Sequence, residues 1–490
     1  MSVIELLKNE LNACSEMTTT ENGDYAYISS GNANLDFFGL AGASRHDQMQ
    51  VVNLFQKALA EDTTLALKNI LYLRDIRGGL GERDSFRSCF QYLCENASEL
   101  ATALFPLVIK YGRFDDLFLA KGTLAEDAML DFINAQLKED IINYESDRPY
   151  SLLSKWLPSI NASSKSGLRM ANFFASRLGY SKAEYRKILS RLRKGKIIEN
   201  YLREKDYSFA YESIPAKALS KYRSAFERND SKRYQRFIHL ALTNPSAIKV
   251  NTLFPYDIIR EYSYNMNDIQ KDAMQAKWNA LEPHKETGNT IVVRDGSGSM
   301  NCFQNGLPLL IATSLAILFA EQLKGEFANH FITFSSSPKL VHLPTNWNLH
   351  QKLMHCYTFN DYTNTDISRV YNLIYQTSLK IKDPKDYIQR IVIISDMEFD
   401  KGTDKIPTYE TMKKRFEQAA IPLPEIIYWN VCARHPHFAA RADQPNIRFV
   451  SGASQHVIKA IINNETVDAV EMMKKVLERY EVEGHPNTLN

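Results

Sequence analysis

A chain of 490 residues is too long for one ordinary core, and its 44% apolar and 24% charged composition excludes both a single small module and extensive disorder. Six cysteines (Cys14, Cys89, Cys94, Cys302, Cys356, Cys432) stand without a paired framework or a CxxC, which excludes a disulfide-stapled scaffold and points to a reducing, cytoplasmic setting. The net charge of +2 is unevenly spread, because Lys182 to Arg236 holds 16 Lys/Arg against seven Asp/Glu.

The N-terminus MSVIELLKNELNAC carries Glu5 and Glu10 inside its apolar stretch, unlike a signal peptide. No run reaches the roughly 18 apolar residues of a membrane span, so no membrane partner is expected. From Gln48 to Leu281 apolar residues recur at helical spacing, as in Val51, Val52, Leu54, Phe55, Ala58 and Leu59. Short turn-like punctuation separates these stretches: RGGLGERD at 77–84, YGRFDD at 111–116 and LPSINASSKSG at 157–167. The pattern predicts antiparallel helix pairs stacked as a helical-repeat solenoid or ring over residues 1–285.

RDIRGGLGERD lacks the lysine and hydroxyl of a GxxxxGK phosphate loop and reads as a helix-to-helix turn. Its charges (Arg74, Asp75, Arg77, Glu82, Arg83, Asp84) are expected to pair locally with Arg113, Asp115 and Asp116. The basic segment mixes cations with Tyr185, Tyr201, Tyr207, Tyr211, Tyr222 and Tyr234. Cations neutralise phosphates and aromatics stack on unpaired bases, so it is a candidate RNA path. Arg186, Lys187, Arg191, Arg193, Lys194 and Lys196, its densest part, are the candidate phosphate contacts. The alternative is a set of solvated helix faces whose tyrosines pack inward.

At Asn289 the pattern changes to short apolar runs alternating with amphipathic segments. Strands are predicted at 290–293, 330–334, 390–395, 425–431 and 447–450, and helices at 307–323, 366–379, 408–419 and 454–462. That is a doubly wound, Rossmann-like α/β sheet over residues 286–465, followed by a C-terminal helix and tail at 466–490.

Three segments sit where such sheets place ligands, just past a strand or at a helix start. Asp295-Gly296-Ser297-Gly298-Ser299 follows the first strand, Thr365 precedes the helix that begins near Asp366, and Asp396 ends RIVIIS. Hydroxyls and carboxylates are hard oxygen donors that suit Mg²⁺ first, with Mn²⁺ or Ca²⁺ as alternatives. Cys432, His435 and His437 form a CxxHxH cluster after EIIYWNV, but no second ligand pair stands at zinc-finger spacing, so it reads as a polar loop.

DGSGSM, YTNTD and ISDMEFD resemble the three metal-site motifs of von Willebrand factor A (VWA) domains. The resemblance implies a metal-ion-dependent adhesion site (MIDAS) with Asp295, Ser297, Ser299, Thr365 and Asp396 as ligands, Thr363 competing for the threonine role. Arg294 departs from the small or apolar residue usual before that loop. RDIRGGLGERDSF, YGRFDDL, SKWLPS, ITFSSSP, SDMEFD and IIYWNV together resemble proteins in which a TROVE-like helical module precedes a VWA domain, the architecture of Ro-type rings. It implies a non-enzymatic, ribonucleoprotein-forming RNA-binding protein for structured or misfolded small RNA, with an acidic protein ligand at the metal site. A protein-interaction scaffold using the same metal site is the alternative, and a metal-dependent phosphoester hydrolase a weaker one, since no base or second metal ligand set is marked.

Overall fold

The computed structural model describes residues 17–194, 198–281, 288–334, 337–360, 364–402, 408–458 and 468–482. The signal-peptide reading at the N-terminus therefore lies outside the described residues, as do Lys196 and Thr363. Helices come first and a mostly parallel α/β sheet follows, the fold class expected. The chain divides into two compact units, one of Met1–Ser85, Pro215–Arg223 and Ser231–Asn490, the other of Phe86–Ile214 and Ser224–Asp230.

The first unit is built on a six-stranded sheet of order β5-β4-β3-β6-β7-β8. Its strands are β3 (Thr290–Asp295), β4 (His330–Phe334), β5 (Leu340–His342), β6 (Arg390–Ser395), β7 (Glu425–Asn430) and β8 (Ile447–Ser451), and only β5 runs antiparallel to its neighbour. The central strands are continuous apolar runs such as IVIIS because both faces are covered. The helix Leu307–Gln322 is apolar all round and nearly all buried against β3, β4 and β6. Gly298–Gln322 has the length and hydropathy of a membrane span, but 61% of that window is buried within the fold.

Residues 17–85 belong to this same unit. A hairpin of β1 (Met17–Thr19) and β2 (Tyr25–Tyr27) turns at Gly23, whose φ of +91° favours glycine. The helices Ala33–Leu40, Gln48–Glu61 and Thr63–Arg74 follow, each capped by a side chain, from Asn32, Asp47 and Asp62. Ala33–Leu40 lies on β8 so closely that a Cβ at Gly39 would stand 3.1 Å from that of Phe449. Hairpin and β5 were absent from the sequence-based tracing, because three-residue strands are too short to display a period.

The second unit is helical around its own core. Phe86 stacks on Phe90, which meets Phe105 edge-on, and Phe118 meets Phe174 at 4.7 Å between centroids. The long helix Glu126–Glu145 buries Met129, Leu130, Ile133 and Leu137 at helical spacing. Lys182–Arg193 starts at a capping box of Ser181 and Glu184 and buries Tyr185, Leu189 and Leu192. Around RGGLGERD, Arg83 pairs locally with Asp84 at 3.0 Å, while Glu82 pairs with Arg45 at 2.9 Å and Asp75 accepts from the Tyr480 hydroxyl at 3.1 Å. Asp115 and Asp116 instead share Arg87 within the second unit. Sequence proximity gave no hint of the partners of Glu82, Asp75, Asp115 and Asp116, which the tertiary fold supplies.

Candidate metal centre

β3 and β6 are parallel neighbours, and the sheet grows from β3 towards β4 and from β6 towards β7. Strand order reverses between them, and the crevice past the carboxyl ends of such a pair is where open α/β sheets bind ligands. Asp295 is the last residue of β3, Ser395 the last of β6, and Asp396 follows directly.

Hydrogen bonds join these ends. The Ser395 hydroxyl donates to Asp295 Oδ2 at 2.6 Å, and the Ser297 amide donates to Asp295 Oδ1 at 2.8 Å. Ser297 Oγ and Ser299 Oγ lie 3.1 Å apart, and the Ser299 side chain also bonds Asp396. Asp295, Ser297 and Asp396 are at most 2% exposed. Four of the five sequence-predicted ligands thus form one bonded group. Thr365, 1% exposed, has its hydroxyl 2.7 Å from the Glu398 carbonyl and 3.0 Å from Asp400 Oδ1, and so joins the segment that follows β6.

Burial pushes the Asp295 carboxyl up to about 7, and the charge of nearby Asp396 adds to the rise. Asp396 is raised by burial too, against the pull of Arg434, whose guanidinium lies 3.2 Å from Asp396 Oδ2. Two buried carboxylates side by side, flanked by hydroxyls and with one cation, Arg434, against Asp396, form an all-oxygen donor set. A hard divalent cation is the species such a set fits. Glu398, fully buried, is held below the usual carboxylate range: burial raises it, but His437, the Glu21 amide and Arg434 outweigh that.

Several residues at this face had no signal in the sequence. The hairpin turn brings Glu21 and Asn22 here from more than 340 positions away. The Asn22 amide donates to Thr365 Oγ1 at 2.8 Å and to the Glu398 carbonyl at 2.7 Å, while the Glu21 carboxylate pairs with Arg434. Backbone bonds fix the turn, with the Lys401 amide donating to the Asn22 carbonyl and Tyr27 and Phe438 exchanging bonds at 2.8 Å. Arg294 is fully buried, and its guanidinium donates to Thr313 at 3.0 Å, Asn360 at 2.7 Å and the Phe359 carbonyl at 3.3 Å. Successive strand side chains face opposite sides, so Arg294 anchors a loop while Asp295 faces the crevice.

The candidate phosphate contacts lie elsewhere, in the second unit. Arg186, Lys187 and Lys194 are exposed, and Arg191 is exposed with a 3.0 Å pair to Glu145 and a place over the Tyr144 ring. Arg193 differs, spending its guanidinium on the carbonyls of Ser154 and Leu157. Lys196 is outside the described residues. Tyr185, Tyr211 and Tyr234 are buried, and Tyr201, Tyr207 and Tyr222 are partly so.

Comparison with known proteins divides the chain in the same order as its elements. Residues 20–108 and 175–289 match the model of a domain of unknown function (DUF2828), and residues 289–488 match another (DUF7788). The chain is 27% identical over 512 aligned positions to an uncharacterized protein of Acanthamoeba polyphaga mimivirus, covering 95% of this chain and 88% of that one. The crystal structure of the Deinococcus radiodurans RO (RSR) protein is similar over 92% of this chain and 99% of that chain, at 14% identity and a TM-score of 0.48. The order of elements, a mainly helical region followed by a mostly parallel six-stranded sheet, is the order expected from the sequence.

Proposed function

We propose that this chain is a non-enzymatic RNA-binding protein with a divalent-metal docking site. The cationic face of Lys182–Arg193 and its C-terminal neighbour grips the phosphates of a structured or misfolded small RNA. Asp295, Ser297, Ser299, Thr365 and Asp396 hold Mg²⁺, or Mn²⁺ or Ca²⁺ in its place. When bound, the ion supplies an incompletely filled electrophile for an acidic side chain or phosphate of a partner. The observation that carries the RNA reading is the exposure of Arg186, Lys187 and Lys194, while Tyr185, Leu189 and Leu192 of Lys182–Arg193 are buried. Exposed cations that are not committed to the fold gain most from phosphate contact. The five described cysteines, all unpaired, support a cytoplasmic setting.

The test is binding of the full chain to structured RNA with a single-stranded end across a salt series. Specific binding weakened by Arg186→Glu and Lys187→Glu is expected; affinity no better than nonspecific, or unchanged in those variants, would overturn the reading. One observation favours the scaffold alternative: with Tyr185, Tyr211 and Tyr234 in the core, half of the tyrosines of the basic segment cannot stack on bases. Purification separates the two, because co-purifying nucleic acid supports RNA binding and a stoichiometric acidic protein without nucleic acid supports the scaffold.

A further inference from the structure

Beside the five-residue centre, and sharing no side chain with it, Glu21, Glu398 and His435 present ligand atoms that lie within 4.8 Å of one another. They come from three places: the turn of the N-terminal hairpin, the segment after β6 and the segment after β7. Glu398 is fully buried, and its Oε2 already accepts the Glu21 amide at 2.7 Å. Its Oε1 is buried with no hydrogen-bond partner among the described residues.

A second buried group stands against Glu398. The side chain of His437 is 3% exposed, with Nε2 3.3 Å from Glu398 Oε2, and its Nδ1 has no hydrogen-bond partner among the described residues. Buried polar atoms are nearly always satisfied, and those that are not call for an ion, a water or a functional role. Here the unsatisfied oxygen belongs to Glu398, the buried member of a cluster that already has a carboxylate and an imidazole at its exposed side.

We propose that Glu21, Glu398 and His435 form a second cation site, distinct from the five-residue centre and selective for a transition-metal ion such as Zn²⁺ or Mn²⁺. Mixed imidazole and carboxylate donors favour first-row transition metals over Mg²⁺, which takes oxygen alone. Tetrahedral Zn²⁺ needs ligand atoms roughly 3.3 Å apart, so the cluster must contract on binding. The exposed residues, Glu21 and His435, make that movement, while Glu398 is fixed by burial and by His437, a positioning residue beneath it. Glu21 bonds Arg434 through one oxygen, Oε2, and the other remains for the ion. A bound ion would thereby clamp the hairpin turn to the sheet beside Thr365, which Asn22 already touches.

The test is a Zn²⁺ titration of the full chain in excess Mg²⁺, read by competition with a chromogenic chelator, on wild type, His435→Ala, Glu21→Gln and Asp295→Ala. Both substituted residues of the new cluster are exposed, so folding is not at stake and a thermal melt verifies it. One equivalent of Zn²⁺ is expected in wild type and in Asp295→Ala, weakened at least about tenfold by His435→Ala and by Glu21→Gln. Co²⁺ in place of Zn²⁺ should give visible absorption that His435→Ala abolishes. No Zn²⁺ binding above excess Mg²⁺, binding unchanged in His435→Ala, or binding lost in Asp295→Ala alone would overturn the proposal.

Discussion

The two candidate sites are made in opposite ways. At the metal centre the charged groups are buried, bonded to one another across loops far apart in sequence, and unfavourably alike in sign. On the Lys182–Arg193 helix the charged groups are exposed, contributed by neighbours in sequence, and mostly solvated. A buried site stores unfavourable interactions that a ligand relieves, whereas an exposed cationic face stores nothing and acts by field and counterion release. Stability should therefore respond to ligand and pH at the first and hardly at all at the second.

The largest expected effect breaks or sustains that contrast directly. Folded Asp295 has its carboxyl raised to about 7 against an unfolded value near 3.8, so between those values the folded state binds more protons than the unfolded one. Cation-free protein should lose stability as pH rises through that window, by an amount on the order of a few kcal/mol. Saturating Mg²⁺ or Asp295→Asn should remove the trend, as thermal melts at pH 4 to 8 would reveal. Metal affinity itself should rise with pH over the same range, because the ion displaces the proton.

Next in size is a contrast inside the basic segment. Arg193→Ala leaves the carbonyls of Ser154 and Leu157 without their donor and should cost about 1–3 kcal/mol in denaturant unfolding, with RNA affinity unchanged. Reversing Arg186, Lys187 and Lys194 to Glu should do the opposite: an unaltered melt, RNA affinity lower by about tenfold or more, and a salt slope shallower by about 3. Smallest is Arg191→Ala. Its partner Glu145 is as exposed as it is, so no change in melting temperature is expected and only a modest drop in RNA affinity.

The same contrast explains what the sequence disclosed. The positions of DGSGS and Asp396 past their strands were readable because strand ends fix where a loop starts. Glu21, Asn22 and Arg434 were not, because a three-residue strand carries no period and a contact across more than 400 residues leaves no local mark. The change of pattern at Asn289 located the first central strand, yet nothing in it indicated that residues 17–85 fold onto the far edge at β8. In the basic segment, composition stated the charge but not its direction. Arg193 and Arg186 lie seven residues apart on one side of the same helix, and only the Ser154 and Leu157 carbonyls beside its last turn, which take up the Arg193 guanidinium, set the one apart from the other.

Calorimetric titration of Mg²⁺ into the full chain and into Asp295→Ala, at a pH above 7, tests the central claim most directly. One equivalent bound by wild type, with affinity weaker on the order of 100-fold in Asp295→Ala while Arg186→Glu binds as wild type, is the predicted result. Equal Mg²⁺ binding by wild type and Asp295→Ala, or none by wild type, would contradict it.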